Sequence, residues 1–454
     1  MNIIIIGCGK VGASIAEQLN DDGHRVTVVD RNEKVVSELA LSIDVIGVTG
    51  NGAMLDVQKE AGVENADILI AVTGSDEVNM LCCLIAKKVG HCQTVARIRN
   101  SEYEKEIDYL KQELGLSFVI NPEKMCALEI LRLIRYPSAL EIETFYHGRI
   151  DMVKMRIHEE SPIVDTALKD LSKKVSASVL ICMIERGQEV IIPTGHTVVK
   201  AGDLISFIAK PQDSFAFSRE CKLEVQPINS AFVVGGGKIA YYLAEFIEAR
   251  KRKVALKVVE MNPDTCKALS ERFPSMTVIN ADGSKKAVLL EEGVQNADVL
   301  MTLTGIDEEN IVLSLLAHEI TPARIITKVN HMNPAEIPDT LALGSVVCPN
   351  LIVSNAVVRF ARGQEGSKNY NIESLYKLAG GRAEAQEYEI QSESSLTGKT
   401  LNDLRIRNGI LVAAIIRNHE LIRPSGSDVL MLGDHVVIVA ETETGIRELS
   451  DILE

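Results

Sequence analysis

Aliphatic residues come in short, evenly spaced bursts along the first third of the chain. The runs are Asn2–Ile6, Arg25–Asp30, Asp44–Val48, Asp67–Val72 and Thr94–Ile98, with a sixth near Ser117–Ile120. Between them the apolar positions take a helical period, as in Val11–Leu19 and Asp76–Val89. Short buried strands separated by helices of this length predict a parallel, doubly wound sheet. Pro122 opens a further helix, at the position where a missing N–H costs nothing. That helix runs to about Arg135, carries Met125, Leu128, Leu131 and Leu133 on its apolar side, and reads as a bridge out of the first domain.

The rhythm then changes. From about Ala139 to Phe217, strand-like runs at Met152–Ile157, Val179–Ile184, Val190–Ile192 and Leu204–Ile208 surround one expected helix, Thr166–Val175. This predicts a small α+β unit. The whole plan then repeats. Residues 65–79 read NADILIAVTGSDEVN and residues 296–310 read NADVLMTLTGIDEEN, nine identities in fifteen positions. The register carries Gly7 onto Gly235, Asp30 onto Glu260, Pro193 onto Pro424 and Asp203 onto Asp434. A repeat this long makes each copy a pair of domains and not a solenoid unit. The predicted fold is α/β: two doubly wound, Rossmann-like parallel-sheet domains, each followed by a small α+β domain. The expected boundaries are 1–135, 139–225, 228–360 and 370–454. Gly363 to Ala385, rich in Gly, Ser, Lys and Glu, looks like a partly flexible connection.

Composition narrows the function classes. The 454 residues are 46% hydrophobic, enough for several cores, and no apolar run approaches the ~20 residues of a membrane span. MNIIIIGCGK lacks the basic start of a signal peptide and reads as a strand. Nine scattered cysteines with no CxxC pair suit a reducing cytoplasm, with the thiols mostly buried and inert. A net charge of −15 and only 4% aromatic residues argue against nucleic-acid partners. The locally basic RFARGQEGSK (Arg359 to Lys368) is best taken as a solvated linker or helix end.

The chemistry sits at the start of each copy. Copy one opens IIIIGCGKVGASIAEQL and continues to VTVVD: strand, Gly7-x-Gly9-x-x-Gly12, helix, strand, acid. Gly7 permits the tight turn, Gly9 lets the backbone approach a pyrophosphate, and Gly12 allows close packing of the helix. The free amides at that helix start would hold phosphates. Asp30, ending the second strand, can accept from both ribose hydroxyls. Copy two has Gly235, Gly236 and Gly237, then Lys238 and Ile239, with Ala240 in place of the third glycine. Its acid, Glu260, lies two residues farther along than in copy one, and the longer acid with the extra Ala240 methyl predicts a looser site.

A carboxylate at the ribose diol disfavours a 2′-phosphate, which favours NAD(H) or an adenine nucleotide over NADP(H). Arg31 could counter this but is expected to face solvent. Lys10 and Lys238 lie beside the phosphate cradles, where a cation would help hold ATP or ADP; an exposed lysine at a helix start is an equal reading. Thr73-Gly74 and Thr304-Gly305 end the fourth strands, at the carboxyl edge where ligands sit in open α/β sheets. Arg97 and Lys328 take the matching place on the fifth strands. Asp76 and Asp307 are read as helix caps. Histidines do not recur between copies, nothing resembles a Ser-His-Asp arrangement or a zinc spacing, and Pro193/Pro424 and Gly202-Asp203/Gly433-Asp434 are turn residues. No enzymatic activity is expected. The alternative is an NAD-dependent oxidoreductase with an unrecognised catalytic group.

The opening GCGKVG with Asp30, the NADILIAVTGSDE stretch, VARIR at 95–99 and IIPTGHTVVKAGD at 191–203 resemble the regulator-of-potassium-conductance (RCK, or KTN) modules. Their tandem arrangement is similar to the TrkA-like regulatory subunits of Trk-type potassium uptake systems, over essentially the whole chain. The resemblance implies NAD(H) and ATP/ADP binding in the first module of each copy, through Gly7–Val11, Asp30, Thr73, Gly74 and Arg97, and through Gly235–Ile239, Glu260, Thr304, Gly305 and Lys328. It also implies a homotetrameric gating ring, cytoplasmic and held at the inner face of the membrane by a TrkH-like potassium channel or transporter subunit; an RCK-type gate of another membrane cation transporter is the alternative. Copy two departs from the pattern at Ala240, Glu260 and Lys328, which puts its occupancy in question.

Overall fold

The computed structural model describes residues 1–104, 106–136, 139–146, 149–222, 228–249, 254–330, 341–365, 370–446 and 448–453. Copy one begins β1 (Asn2–Ile6), α1 (Lys10–Asp21), β2 (Arg25–Asp30), α2 (Glu33–Ser42), β3 (Ile46–Thr49), α3 (Leu55–Glu60), β4 (Ile68–Ala71) and α4 (Asp76–Val89). It continues β5 (Gln93–Arg97), α5 (Ser101–Glu104), α6 (Ile107–Leu114), β6 (Phe118–Ile120) and α7 (Pro122–Arg135). Then come β7 (Glu141–Phe145), β8 (Ile150–Arg156), β9 (Leu180–Arg186), β10 (Glu189–Ile191), β11 (Leu204–Ala209) and α8 (Pro211–Glu220). Copy two follows with β12 (Ser230–Val234), α9 (Lys238–Ala249), β13 (Ala255–Glu260), α10 (Pro263–Arg272), β14 (Thr277–Asn280), α11 (Lys286–Glu291), β15 (Val299–Thr302), α12 (Asp307–Ile320), β16 (Arg324–Lys328), β17 (Ser345–Val347) and α13 (Pro349–Glu365). It ends with β18 (Tyr370–Leu378), β19 (Ala383–Ile390), β20 (Ile410–Arg417), β21 (Glu420–Ile422) and β22 (His435–Glu441).

These elements form two compact units, 1–131 with 228–361, and 132–227 with 362–454. The first unit holds both parallel sheets. Their orders are β3-β2-β1-β4-β5-β6 and β14-β13-β12-β15-β16-β17, the doubly wound order with its switch point between β1 and β4, or β12 and β15. The central strands β1, β2 and β4 are buried on both faces, which is why they read as continuous aliphatic runs. One face of the first sheet is covered from an unexpected source. Val353, Val357, Val358 and Ala361 of α13, in copy two, join Ile3, Ile5, Ile68, Ile70 and Val95 in one core. Phe360 stacks on Phe118 at 5.3 Å, and Ser354 donates to Ser14 of α1 at 2.9 Å. The helix after the second sheet thus closes the first. In α7 the buried positions are Cys126, Ala127, Ile130, Leu131, Leu133 and Ile134, whereas Met125 and Leu128 are only half-buried. The buried face is therefore turned from the predicted one.

The second unit holds two antiparallel sheets, β10-β9-β11-β8-β7 and β18-β19-β22-β20-β21, of matching topology. Their facing sides share one core, with Phe145, Met152 and Met183 against Ala385, Ala414 and Val439. Phe145 meets Tyr376 edge-on at 5.1 Å, and the Tyr376 hydroxyl donates to the Thr144 carbonyl at 2.5 Å. Several expectations are corrected here. The helix foreseen at Thr166–Val175 is a 3₁₀ turn over Leu168–Lys173. Strand β7 and helix α8, started by Pro211, were not foreseen. The described part of Gly363 to Ala385 is regular structure, with 366–369 outside the described residues. It contains the end of α13, the nine-residue edge strand β18 and the start of β19, and β18 pairs with β19 from Tyr370↔Ile390 to Leu378↔Ala383. Of the basic stretch, Arg359–Glu365 ends α13, and 366–368 lie outside the described residues.

Candidate nucleotide-binding site

The glycine loop of copy one is built by steric necessity. Gly7 has φ +103°, and a Cβ there would lie 2.9 Å from the Thr73 amide nitrogen. At Gly12 a Cβ would stand 1.8 Å from the Gly7 carbonyl oxygen, so the third glycine lets α1 sit against the loop itself. Gly9 is the opposite case: nothing lies within 4 Å of where its Cβ would be. The start of α1 has no side-chain cap and no acidic residue in its first turn, whereas α2 and α4 are capped by Asn32 and Ser75. An uncapped helix start beside open space suits an anion such as a pyrophosphate. The donor set fits the expected nucleotide.

Asp30 is fixed by the backbone it faces. One carboxylate oxygen accepts the Cys8 amide at 2.8 Å and the other the Asn32 amide at 2.9 Å. Each oxygen keeps a further lone pair, so Asp30 can brace the loop and still accept a hydroxyl. Burial, and then the Asp30 charge, push the Cys8 thiol up to about 12, so it stays neutral. In copy two Glu260 repeats both bonds, taking the Gly236 amide at 2.7 Å and the Asn262 amide at 2.7 Å. Its longer stem needs room: a Cβ on Gly236 would lie 3.0 Å from the Glu260 Cβ. Cys8 with Asp30 and Gly236 with Glu260 are thus compensating pairs.

The fourth-strand loop is held by a residue that sequence reasoning passed over. Asn79 is fully buried, and its Oδ1 accepts both the Thr73 amide (2.8 Å) and the Thr73 hydroxyl (2.7 Å). Its Nδ2 donates to the carbonyls of Arg97 (2.9 Å) and Thr73 (3.3 Å). Asn310 does the same in copy two, accepting from the Thr304 amide at 2.9 Å and donating to Lys328 at 3.0 Å. Both asparagines close the fifteen-residue repeat, and that identity was the available signal. Asp76 and Asp307 are not caps. Asp76 accepts the amides of Arg99 and Asn100 at 2.8 Å each, and Asp307 holds Asn330 through its amide and side chain at 2.8 Å each, while Ser75 caps α4. These acids face inward from the first helical turn and tether the loop after the fifth strand.

Around this frame lies a cleft of about 700 Å³. Gly7, Gly9, Lys10, Val11, Asp30, Thr73, Gly74 and Arg97 all line it, whereas Cys8 and Gly12 sit behind the loop surface, both buried. Arg31 is exposed as expected, yet it also lines the cleft and donates to Asn51 at 2.9 Å. The Arg97 guanidinium donates to the Thr73 carbonyl, and Arg99 donates to the Gly74 carbonyl at 2.8 Å. Burial, and then the charge of Arg99, lower the Arg97 pKa.

Copy two places its residues differently. Gly235 repeats the turn with φ +102°, and Gly237 stands in open space. Ile239 and Ala240 are buried. Lys238 donates to the Arg99 carbonyl of copy one at 3.3 Å. Lys328 is buried, and its pKa is lowered by that burial. Gly305, with Asn330 and Asn350, lines the cleft of copy one.

In the second unit, Asp203 and Asp434 are more than turn residues. Each is buried and takes a two-pronged contact from an arginine: Arg186 to Asp203 at 2.8 Å twice, Arg417 to Asp434 at 2.8 and 2.7 Å. The same arginines donate to Val198 and Val429. All nine cysteines are free and buried. Among the described residues no helix is long and apolar enough to cross a membrane, and no acid, His or Cys cluster could hold a metal.

Comparison with known proteins agrees with this architecture. The TrkA-N domain model matches residues 3–122 and 231–349, and the TrkA-C domain model matches 152–222 and 385–454. Similar proteins include the Trk system potassium uptake protein TrkA of Haemophilus influenzae, 29% identical and covering 100% of this chain and 99% of the relative. That of Halomonas elongata is 30% identical with the same coverage, and that of Azorhizobium caulinodans is 31% identical, covering 97% of this chain and 96% of the relative. The solved GsuK channel bound to NAD shares the fold at TM-score 0.61 and 17% identity, over 97% of this chain and 77% of that one. With both domain models matched twice, in alternation, the chain belongs to the TrkA family of tandem RCK proteins.

Proposed function

We propose that this protein is the cytoplasmic regulatory subunit of a Trk-type potassium transporter, and that NAD(H) and ATP/ADP binding to its TrkA-N modules gates ion flux. The observation that carries the reading is the copy-one cleft: an uncapped helix start behind an open Gly9, with Asp30 on one side and Arg97 on the other. The names of the relatives point to potassium uptake, and the GsuK structure with NAD supports a dinucleotide as one ligand of this fold. The working assembly is a homotetrameric ring docked on a TrkH-like membrane subunit at the inner face of the cell membrane. Ligand contacts in copy one are Gly7–Val11, Asp30, Thr73, Gly74 and Arg97. Those in copy two are Gly235–Ile239, Glu260, Thr304, Gly305 and Lys328.

The mechanism is allosteric. A nucleotide changes the open/closed ratio only by binding the two ring shapes unequally. A coupling of 1–3 kcal/mol, typical of allosteric proteins, changes the ratio about 5–150-fold. The test is rubidium flux into vesicles carrying the membrane subunit with the purified chain, with and without NADH or ATP. Nucleotide-dependent flux that requires the chain supports the proposal. Flux indifferent to both nucleotides, or a chain that does not associate with the membrane subunit, would reject it.

A further inference from the structure

The copy-one cleft is not made by copy one alone. Asp30 lies on β2, at one side of the switch point, and the glycine loop sits at its centre. Copy two lies at the other side. Phe360 stacks on Phe118 of β6, Lys238 reaches the carbonyl of Arg99 beyond β5, and Gly305, Asn330 and Asn350 enter the cleft itself. The two asparagines are one braced pair. Asn350, in the first turn of α13, donates to the Asn330 carbonyl at 2.6 Å, and Asn330 is pinned by Asp307 through its amide and its side chain. Asn350 is carried by the helix that closes the first sheet, so its position is set by the core of copy one.

We infer that copy two reads the far end of a nucleotide held by copy one, so that Asn350 and Asn330 discriminate a dinucleotide from an adenosine diphosphate. The inference rests on the nucleotide reading above. With the adenosine ribose at Asp30 and the pyrophosphate on the glycine loop, whatever follows the pyrophosphate extends past Thr73 towards β5 and meets copy two. Beside the Arg97 guanidinium, the groups that copy two supplies there are the amides of Asn330 and Asn350 and the backbone of Gly305, where nothing lies within 4 Å of an added Cβ. Neutral amides suit a second ribose or a carboxamide. ADP ends before that point. Occupancy by the dinucleotide therefore ties the two TrkA-N modules together, and occupancy by ADP leaves them joined only by their own contacts.

The experiment measures NADH and ADP affinities of the full-length chain and of Asn350→Ala and Asp30→Ala. Asn350→Ala is expected to weaken NADH about three- to tenfold, the loss of a neutral hydrogen bond, and to leave ADP within about twofold. Asp30→Ala is expected to weaken both. If Asn350→Ala leaves both ligands unchanged, or weakens both equally, while Asp30→Ala weakens both, the inference fails and the nucleotide reading stands. If the unaltered chain binds neither ligand, both fail. Asn350→Gln, which keeps the amide, serves as the folding control; a partial recovery of NADH affinity relative to Asn350→Ala supports the contact, and an affinity no better than that of alanine counts against it.

Discussion

Replacing Asn79 by alanine should be among the most damaging single changes in the first unit, although the residue has no surface to offer a ligand. The side chain is fully buried and makes four hydrogen bonds, all to the loop ends after β4 and β5. Alanine removes them together. The Thr73 carbonyl keeps the Arg97 guanidinium, but the Thr73 amide and the Arg97 carbonyl lose the partner described here. Leaving a buried backbone group unpaired costs about 1–3 kcal/mol, so the sum for the two is about 2–6 kcal/mol. Asn79→Asp should be no milder. It keeps both acceptor contacts with Thr73 but turns the amide that faced two carbonyls into a carboxylate oxygen. Urea unfolding, followed by the midpoint at unchanged slope, measures the loss. Hydrogen exchange at Thr73 localises it, because a freed amide loses protection before the unit unfolds. A stability change below about 0.5 kcal/mol, the size of an ordinary surface substitution, would refute the assignment of Asn79 as the clamp of this loop.

Other expectations follow from the same geometry. Gly12→Ala should cost about 1–3 kcal/mol and abolish nucleotide binding in copy one, since the new Cβ would stand 1.8 Å from the Gly7 carbonyl oxygen; Ala240→Gly should leave binding intact, and thermal melts with and without NADH check both. Asp203→Ala should destabilise the second unit by about 1–3 kcal/mol, because the Arg186 guanidinium and the Lys200 amide lose their buried acceptor; calorimetry of unfolding reads this. That pair also sets a pH window. Burial alone would raise the Asp203 pKa, but the Arg186 hydrogen bonds and the Lys200 amide outweigh it and hold the carboxylate below its ordinary 3.8. The folded state therefore binds the proton less readily than the unfolded state. The stabilisation is full above about pH 4 and is lost as pH falls through the lower folded value. Asp203→Asn should flatten the acid side of the stability curve, and an unchanged slope below pH 4 would contradict the assignment.

The sheets were legible in the sequence because parallel strands buried on both faces leave uninterrupted aliphatic runs. The glycine loop was legible because Gly7 and Gly12 answer steric demands that can be stated in advance. The demand at Gly12 differs from the usual one, being contact with the Gly7 carbonyl. Asp76 and Asp307 were misread since an acid at a helix start is ordinarily a cap, and only the fold shows them reaching the loop after the fifth strand. Asn79 and Asn310 stood in plain view at the end of the repeat. A buried asparagine declares itself only through its partners, which lie six and eighteen residues away. Strand β18 was hidden by composition: glycine, serine and charged residues around Gly363 to Ala385 masked an edge strand whose support comes from β19. The joint cleft was the least legible feature. It depends on α13 of copy two covering the sheet of copy one, and no local pattern encodes which of two similar sheets a helix will close.

The central claim is that copy one is a nucleotide sensor, and calorimetric titration of the purified chain with NADH and, separately, with ATP tests it most directly. The account predicts saturable binding of each at one or two sites per chain, competition between the two, and loss of the copy-one site in Asp30→Ala. Absence of binding by either nucleotide, or binding that Asp30→Ala leaves untouched, would contradict it.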